Sequence, residues 1–85
     1  MDALDGNAIA GTLVEAFGSE MTTAVATCAT CGASRHLAEY VVYLGGPGVV
    51  VRCRDCQAVA MVLVEVAGRI CVDAMGLFAI HRDSP

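Results

Sequence analysis

The chain has no lysine and no tryptophan, and its only aromatic residues are two tyrosines and two phenylalanines. Five arginines face nine acidic residues, for a net charge of −4. Nucleic-acid-binding surfaces are built from clustered Lys and Arg with interleaved aromatics, so this composition opposes one. No apolar run reaches the roughly 18 residues a membrane-crossing helix requires. The longest candidate, "AVAMVLVEVAG", is interrupted by Glu65. The start, "MDALDGNA", lacks the basic region of a secretory signal. These absences predict a soluble, cytoplasmic protein without a membrane association. No Ser/His/Asp set, paired-carboxylate motif or phosphate-cradling loop appears. The chain is therefore not expected to be an enzyme, and neither catalytic residues nor a small-molecule substrate are evident.

What is present is short and apolar. At 85 residues the chain is one small domain, of a size that often needs a metal, a disulfide or a partner to fold stably. Hydrophobic residues make up 56% and the mean hydropathy is +0.65. A chain this short cannot bury all of that surface, which predicts a protein partner or a homo-oligomer.

Five cysteines in a reducing compartment suggest metal ligation before disulfides. The stretch "TCATCGASRH" by itself allows a redox pair, half of a metal site, or a metal site with an open position. The second pair decides between these. Cys28 and Cys31 form one C-x-x-C, Cys53 and Cys56 another, with Gly32 to Arg52 between them. Each C-x-x-C can wrap a tight turn around a cation, and an intervening hairpin carries the chain out and back. The four sulfurs then meet with tetrahedral thiolate geometry. Gly32 suits the left-handed position after such a turn, while Gln57 suits the second one less well. The expectation is one Zn²⁺ per chain on Cys28, Cys31, Cys53 and Cys56, with iron second to zinc. A closed set of four thiolates leaves no position for water or substrate, so the site reads as a staple.

The remaining chemistry-bearing residues have bland readings. His36 is a strand-entry side chain and His81 a solvated one. Arg35, Arg52 and Arg54 flank the turns and can offset the thiolate charge; the alternative is a small phosphate-contacting patch. With four thiolates and one divalent cation the net charge becomes about −6, further from nucleic acid. Tyr40 and Tyr43 fall on opposite strand faces and form no stacking platform. Cys71 reads as a small buried hydrophobe.

Helical spacing of Ile9, Leu13, Val14 and Phe17, with Ala10, predicts a helix over residues 4–17, capped by Asp5 and ended by Gly18. Residues 19–27 lead in as a short extended segment. "HLAEYVVYL" and "VVVRC" flank "GGPG" as a first hairpin. "QAVAMVLVEV" and "RICVDAM" flank "AG" as a second. A three-residue loop, Val66 to Gly68, pairs Glu65 with Arg69 and gathers Val62, Val64, Ile70 and Val72 on one apolar face. In that register Cys71 shares a face with Met61 and Leu63. "GLFAI" adds a short strand or packs on the helix, and "HRDSP" is a frayed tail. The predicted fold is a small metal-stabilised α+β domain, an N-terminal helix followed by a zinc ribbon of two antiparallel β-hairpins. Residues 1–20 form the helix, packed on the ribbon or on a partner; 21–80 the ribbon; 81–85 a flexible tail.

The four cysteines and the hairpins after each pair, residues 27 to about 74, resemble the zinc-ribbon superfamily. The whole chain, with its "LDGNAIAG" start and "CVDAMG" end, is similar to a family of small actinobacterial zinc-ribbon proteins without an assigned function. The resemblance implies bound zinc and no mechanism. The functional expectation is a structural ribbon acting as an interaction or accessory module, alone or as a homodimer. One alternative is a rubredoxin-like single-iron carrier, which "CATCG" resembles but "CRDCQ" does not. The other is a nucleic-acid-associated ribbon, which the acidic balance opposes.

Overall fold

In the computed structural model, which describes residues 3–45 and 48–81, the first described element is a strand and not a helix. β1 (Ala3–Asp5) pairs antiparallel with β4 (Val41–Gly45), placing Leu4 opposite Val42. Asp5 does cap, but it caps a single 3-10 turn, Gly6–Ile9, accepting from the Asn7 amide at 3.1 Å. Helix α1 is only Ala10–Phe17. The longer helix expected over 4–17 loses to tertiary contacts: the ladder on β4 takes Leu4, and buried Gly6 passes against the backbone of Leu37 and Ala38. The helix ends as expected, with Gly18 left-handed at φ 79° and its amide on the Val14 carbonyl. Ile9 and Leu13 enter the core, but Val14 is 43% exposed.

The remaining strands are β2 (Val25–Cys28), β3 (Ser34–His36), β5 (Gly48–Arg52), β6 (Val59–Val66), β7 (Arg69–Asp73) and β8 (Leu77–His81). They form two antiparallel sheets, β1-β4-β5-β6-β7 and β3-β2-β8. The two expected hairpins are not separate units, because β5 and β6 also pair and merge them into one sheet. The run 36–44, expected as one strand, is broken by a 3-10 turn at Leu37–Glu39. That turn carries the chain from one sheet to the other, with the Leu37 and Ala38 amides bonded to the Ala24 and Thr22 carbonyls, both at 2.9 Å. The centre of "GGPG", residues 46–47, lies outside the described residues, though Gly45 pairs with Gly48 across it. "GLFAI" supplies β8, which pairs with β2. His81, expected in a frayed tail, ends β8 opposite Val25 and is exposed; residues 82–85 lie outside the described residues.

The β6–β7 register corrects the three-residue loop. Val66 pairs with Arg69 and Glu65 with Ile70, so the loop is Ala67–Gly68 alone. Both are left-handed, at φ 52° and 78°. A two-residue loop of this handedness matches the right-handed twist of the strands, and that backbone preference outweighs tidy separation of side-chain faces. Cys71 consequently lies opposite Val64, on the face of Val62 and Val66, and is exposed rather than buried. Ala67 bears the cost of a left-handed side chain. Ala67→Asn, which creates the favoured Asn-Gly turn, is expected to raise stability by about 1 kcal/mol, read as a higher midpoint in urea.

One face of the large sheet, through Val42, Val51, Met61 and Leu63, shares a core with Ile9 and Leu13. The other face, through Tyr43, Val50, Val62 and Val64, is only half-buried. Among the described residues no helix is long and apolar enough to cross a membrane.

Candidate metal centre

Two turns of the same construction hold the four cysteines. Cys28 ends β2 and Cys53 follows β5. In each turn the cysteine amide donates to the carbonyl five residues on, Cys28 to Ala33 and Cys53 to Ala58. In each, the cysteine carbonyl accepts from the amide four residues on, Gly32 and Gln57; all four bonds are 2.9 Å. The Thr30 amide points at Cys28 Sγ and the Asp55 amide at Cys53 Sγ, both at 3.4 Å. Gly32 and Gln57 are left-handed, at φ 79° and 66°. Gln57 thus takes the conformation its position requires despite its side chain. The shared pattern C-x-x-C-x-A, in which the alanine carbonyl closes each turn, is a sequence signal that sequence reading missed.

The turns face each other across the two sheets. All four sulfurs lie within 4.8 Å of one another. Cys28 is 3.6 Å from Cys56, and Cys31 is 3.6 Å from Cys53. A tetrahedron with metal–sulfur bonds of about 2.3 Å has edges of about 3.8 Å, whereas a disulfide needs about 2.05 Å. The spacing is that of ligands around a common centre, and the four cysteines could hold one metal ion. Cys28 and Cys53 are buried at 1% exposure within the core, while Cys31 is exposed and Cys56 half-buried. The inner pair ties the cluster to the fold, and the outer pair closes it at the surface.

Crowding splits the proton affinities of the thiols. Cys28 is lowered to about 7, first by the Cys31 amide and then by the Thr30 amide, against its burial. For Cys31 the Ala33 amide pulls downward, but burial and the neighbouring sulfurs win and push it up to about 12. Cys56 is also raised, its Ala58 amide outweighed in the same way. Four ionised sulfurs this close repel one another, and a cation at their centre reverses that balance.

A second ring of contacts clasps the turns. Arg35, on β3, makes a two-pronged bond to Asp55 inside the second turn, at 2.7 and 2.9 Å. That bond holds the Asp55 carboxyl below its usual range. Arg54 Nε donates to the Glu39 carbonyl at 2.6 Å. Arg52 donates to the Gln57 carbonyl at 2.9 Å and lies 5.8 Å from the Tyr43 ring centre. The three arginines expected beside the thiolates therefore serve as struts, and among the described residues none of them hydrogen-bonds a sulfur. His36 lies outside the cluster, half-exposed beside Glu39, whose carboxylate accepts from its amide at 3.2 Å. Arg35→Ala is expected to lower stability only slightly, because the pair is solvent-exposed and screened by salt; the check is a denaturation midpoint at low and high salt.

A family profile matches residues 1–85, the full length of the sequence. The chain belongs to DUF6510, a family of unknown function. No curated protein and no solved structure matches. For this DUF6510 chain the case for a metal centre thus rests on its cysteine geometry. That geometry depends in turn on Tyr40, which is fully buried and donates from its hydroxyl to the Ala26 carbonyl at 2.9 Å. The bond straps β2, and hence Cys28, to the start of β4. Tyr40→Phe removes a donor from a buried carbonyl and is expected to cost about 1.5 kcal/mol, measured by urea unfolding of the metal-loaded DUF6510 protein.

Proposed function

We propose that this protein is a structural zinc-binding ribbon that works through protein contacts and not through catalysis. The observation that carries the reading is the convergence of Cys28, Cys31, Cys53 and Cys56 at tetrahedral ligand spacing. Four thiolates complete the coordination of zinc and leave no position for a reacting water. The two turns come from different sheets, so one ion on these residues cross-links the halves of the fold. Among the described residues no cysteine is in a disulfide, which fits a reducing cytoplasmic setting. A net charge of −4 gives no support to nucleic-acid binding.

Native mass spectrometry of the purified protein tests the reading. The expected species is colourless and carries one zinc per chain. Red protein with one iron per chain would move the assignment to an electron carrier. A folded chain carrying no metal would remove the staple altogether.

A further inference from the structure

β7 is the terminal strand of the large sheet, and among the described residues no other strand pairs with its outer edge. It is also largely exposed, with Arg69, Cys71, Val72 and Asp73 exposed and Ile70 half-buried. The two-residue loop closes the hairpin on a hydrogen-bonded pair, Val66 with Arg69. Alternation then turns the backbone groups of Arg69, Cys71 and Asp73 toward β6 and those of Ile70 and Val72 outward. An open edge of this kind is a template for another strand unless charge of one sign, proline or a covering element blocks it. β7 carries instead one charge of each sign, at opposite ends. Neither Arg69 nor Asp73 has an ion pair among the described residues; Asp73 accepts from the Met75 amide at 3.0 Å through Oδ1.

Turned end for end about Cys71, the strand Arg69-Ile70-Cys71-Val72-Asp73 complements itself. We propose that a second copy of this chain docks here, β7 against β7, antiparallel about a two-fold axis at Cys71. Arg69 then faces the partner's Asp73, and Asp73 faces the partner's Arg69. Ile70 and Val72 of the two copies exchange the outward backbone hydrogen bonds. The two Cys71 thiols lie side by side at the axis, in a pair without backbone bonds of its own. A slip of two residues in either direction forfeits both charge pairs, so charge specifies the register. The interface is the same patch on both subunits, as a closed dimer requires, and it joins two five-stranded sheets into one of ten strands. This assignment rests on the reading of the protein as one that acts through contacts, and it names the contact.

The test reads oligomeric state by native mass spectrometry and light scattering at tens of micromolar protein, with metal content from the same spectra. The wild type is expected to be a dimer. R69D and D73R each place like charges opposite one another at two symmetric positions and are expected to weaken the dimer by about tenfold or more. The double variant R69D/D73R restores both pairs and recovers the dimer. A mixture of the R69D and D73R chains forms a heterodimer in preference to either homodimer. Both positions are exposed, and retained metal and circular dichroism show that each variant is folded. A wild-type monomer with one metal per chain overturns the pairing and leaves the metal reading standing. Absence of metal overturns the metal reading, while the charge swaps still report on the pairing. A dimer that ignores the swaps but is split by F78D overturns it as well, placing the contact on the uncharged edge of β8, where Phe78 is 81% exposed.

Discussion

Cys28→Ser is expected to abolish stoichiometric metal binding and to release the three-stranded sheet from the rest of the fold. Cys28 Sγ sits 3.6 Å from Cys56 Sγ and accepts from the Thr30 amide, in a core position at 1% exposure. A serine hydroxyl stays protonated at neutral pH and supplies no soft anion, so three ligands remain around a cation that requires four. Structural zinc contributes apparent binding free energies of about 10–16 kcal/mol, all of it available only to the folded chain. A small domain holds a net stability of about 5–15 kcal/mol, so the loss is comparable to the whole. The expected readout is less than one metal per chain by elemental analysis and a collapse of the cooperative unfolding transition. Cys71→Ser is the control. Cys71 is exposed on β7, outside the cluster, and its replacement is expected to leave the metal content per chain unchanged. A folded Cys28→Ser protein that keeps one zinc would refute the ligand assignment.

Gly76→Ala has the second-largest expected effect, and nothing near it in sequence announces it. Gly76 lies in the turn from β7 to β8, where a Cβ would overlap the Val59 carbonyl oxygen and crowd the Ala60 Cα at 2.7 Å. Both obstacles are backbone and cannot swing away. Gly76 also accepts the Ala29 amide at 2.9 Å, inside the first cysteine turn. Val59 follows directly on the second turn. A shift to relieve the overlap therefore moves the two halves of the metal site relative to each other. The expected cost is about 3 kcal/mol, together with a weaker hold on the metal in a chelator competition. Gly11→Ala supplies the contrast. A Cβ there meets nothing within 4 Å and sits inside α1, so alanine is expected to stabilise by up to about 1 kcal/mol. If Gly76→Ala unfolds at the wild-type midpoint, the close approach it reports is wrong.

Legibility in the sequence followed the range of the interactions involved. Gly18 ends α1 and Gly32 shapes the first cysteine turn because each answers to its own neighbours in the chain, and both were readable. Asp5 was readable as a cap but not as the cap of a 3-10 turn, since what shortened the helix was β4 pairing with Leu4 and Leu37 pressing on Gly6. The β6–β7 loop misled because side-chain patterning and backbone twist pointed to different registers, and twist prevailed. That one-residue change turned Cys71 from the core side to the open side of the sheet.

The sequence by itself singled out the four cysteines that converge, the strand-rich character of the chain and a tight turn at each cysteine pair. These depend on residues a few positions apart, whose spacing is written directly in the chain. Only the tertiary structure decided that the two turns come from different sheets and meet at 3.6 Å. It alone clasped them through Arg35 and Asp55, left β7 as an open edge, and placed Gly76 between them. Those features arise where segments distant along the chain approach, and close approach of backbones leaves no periodicity or motif to read.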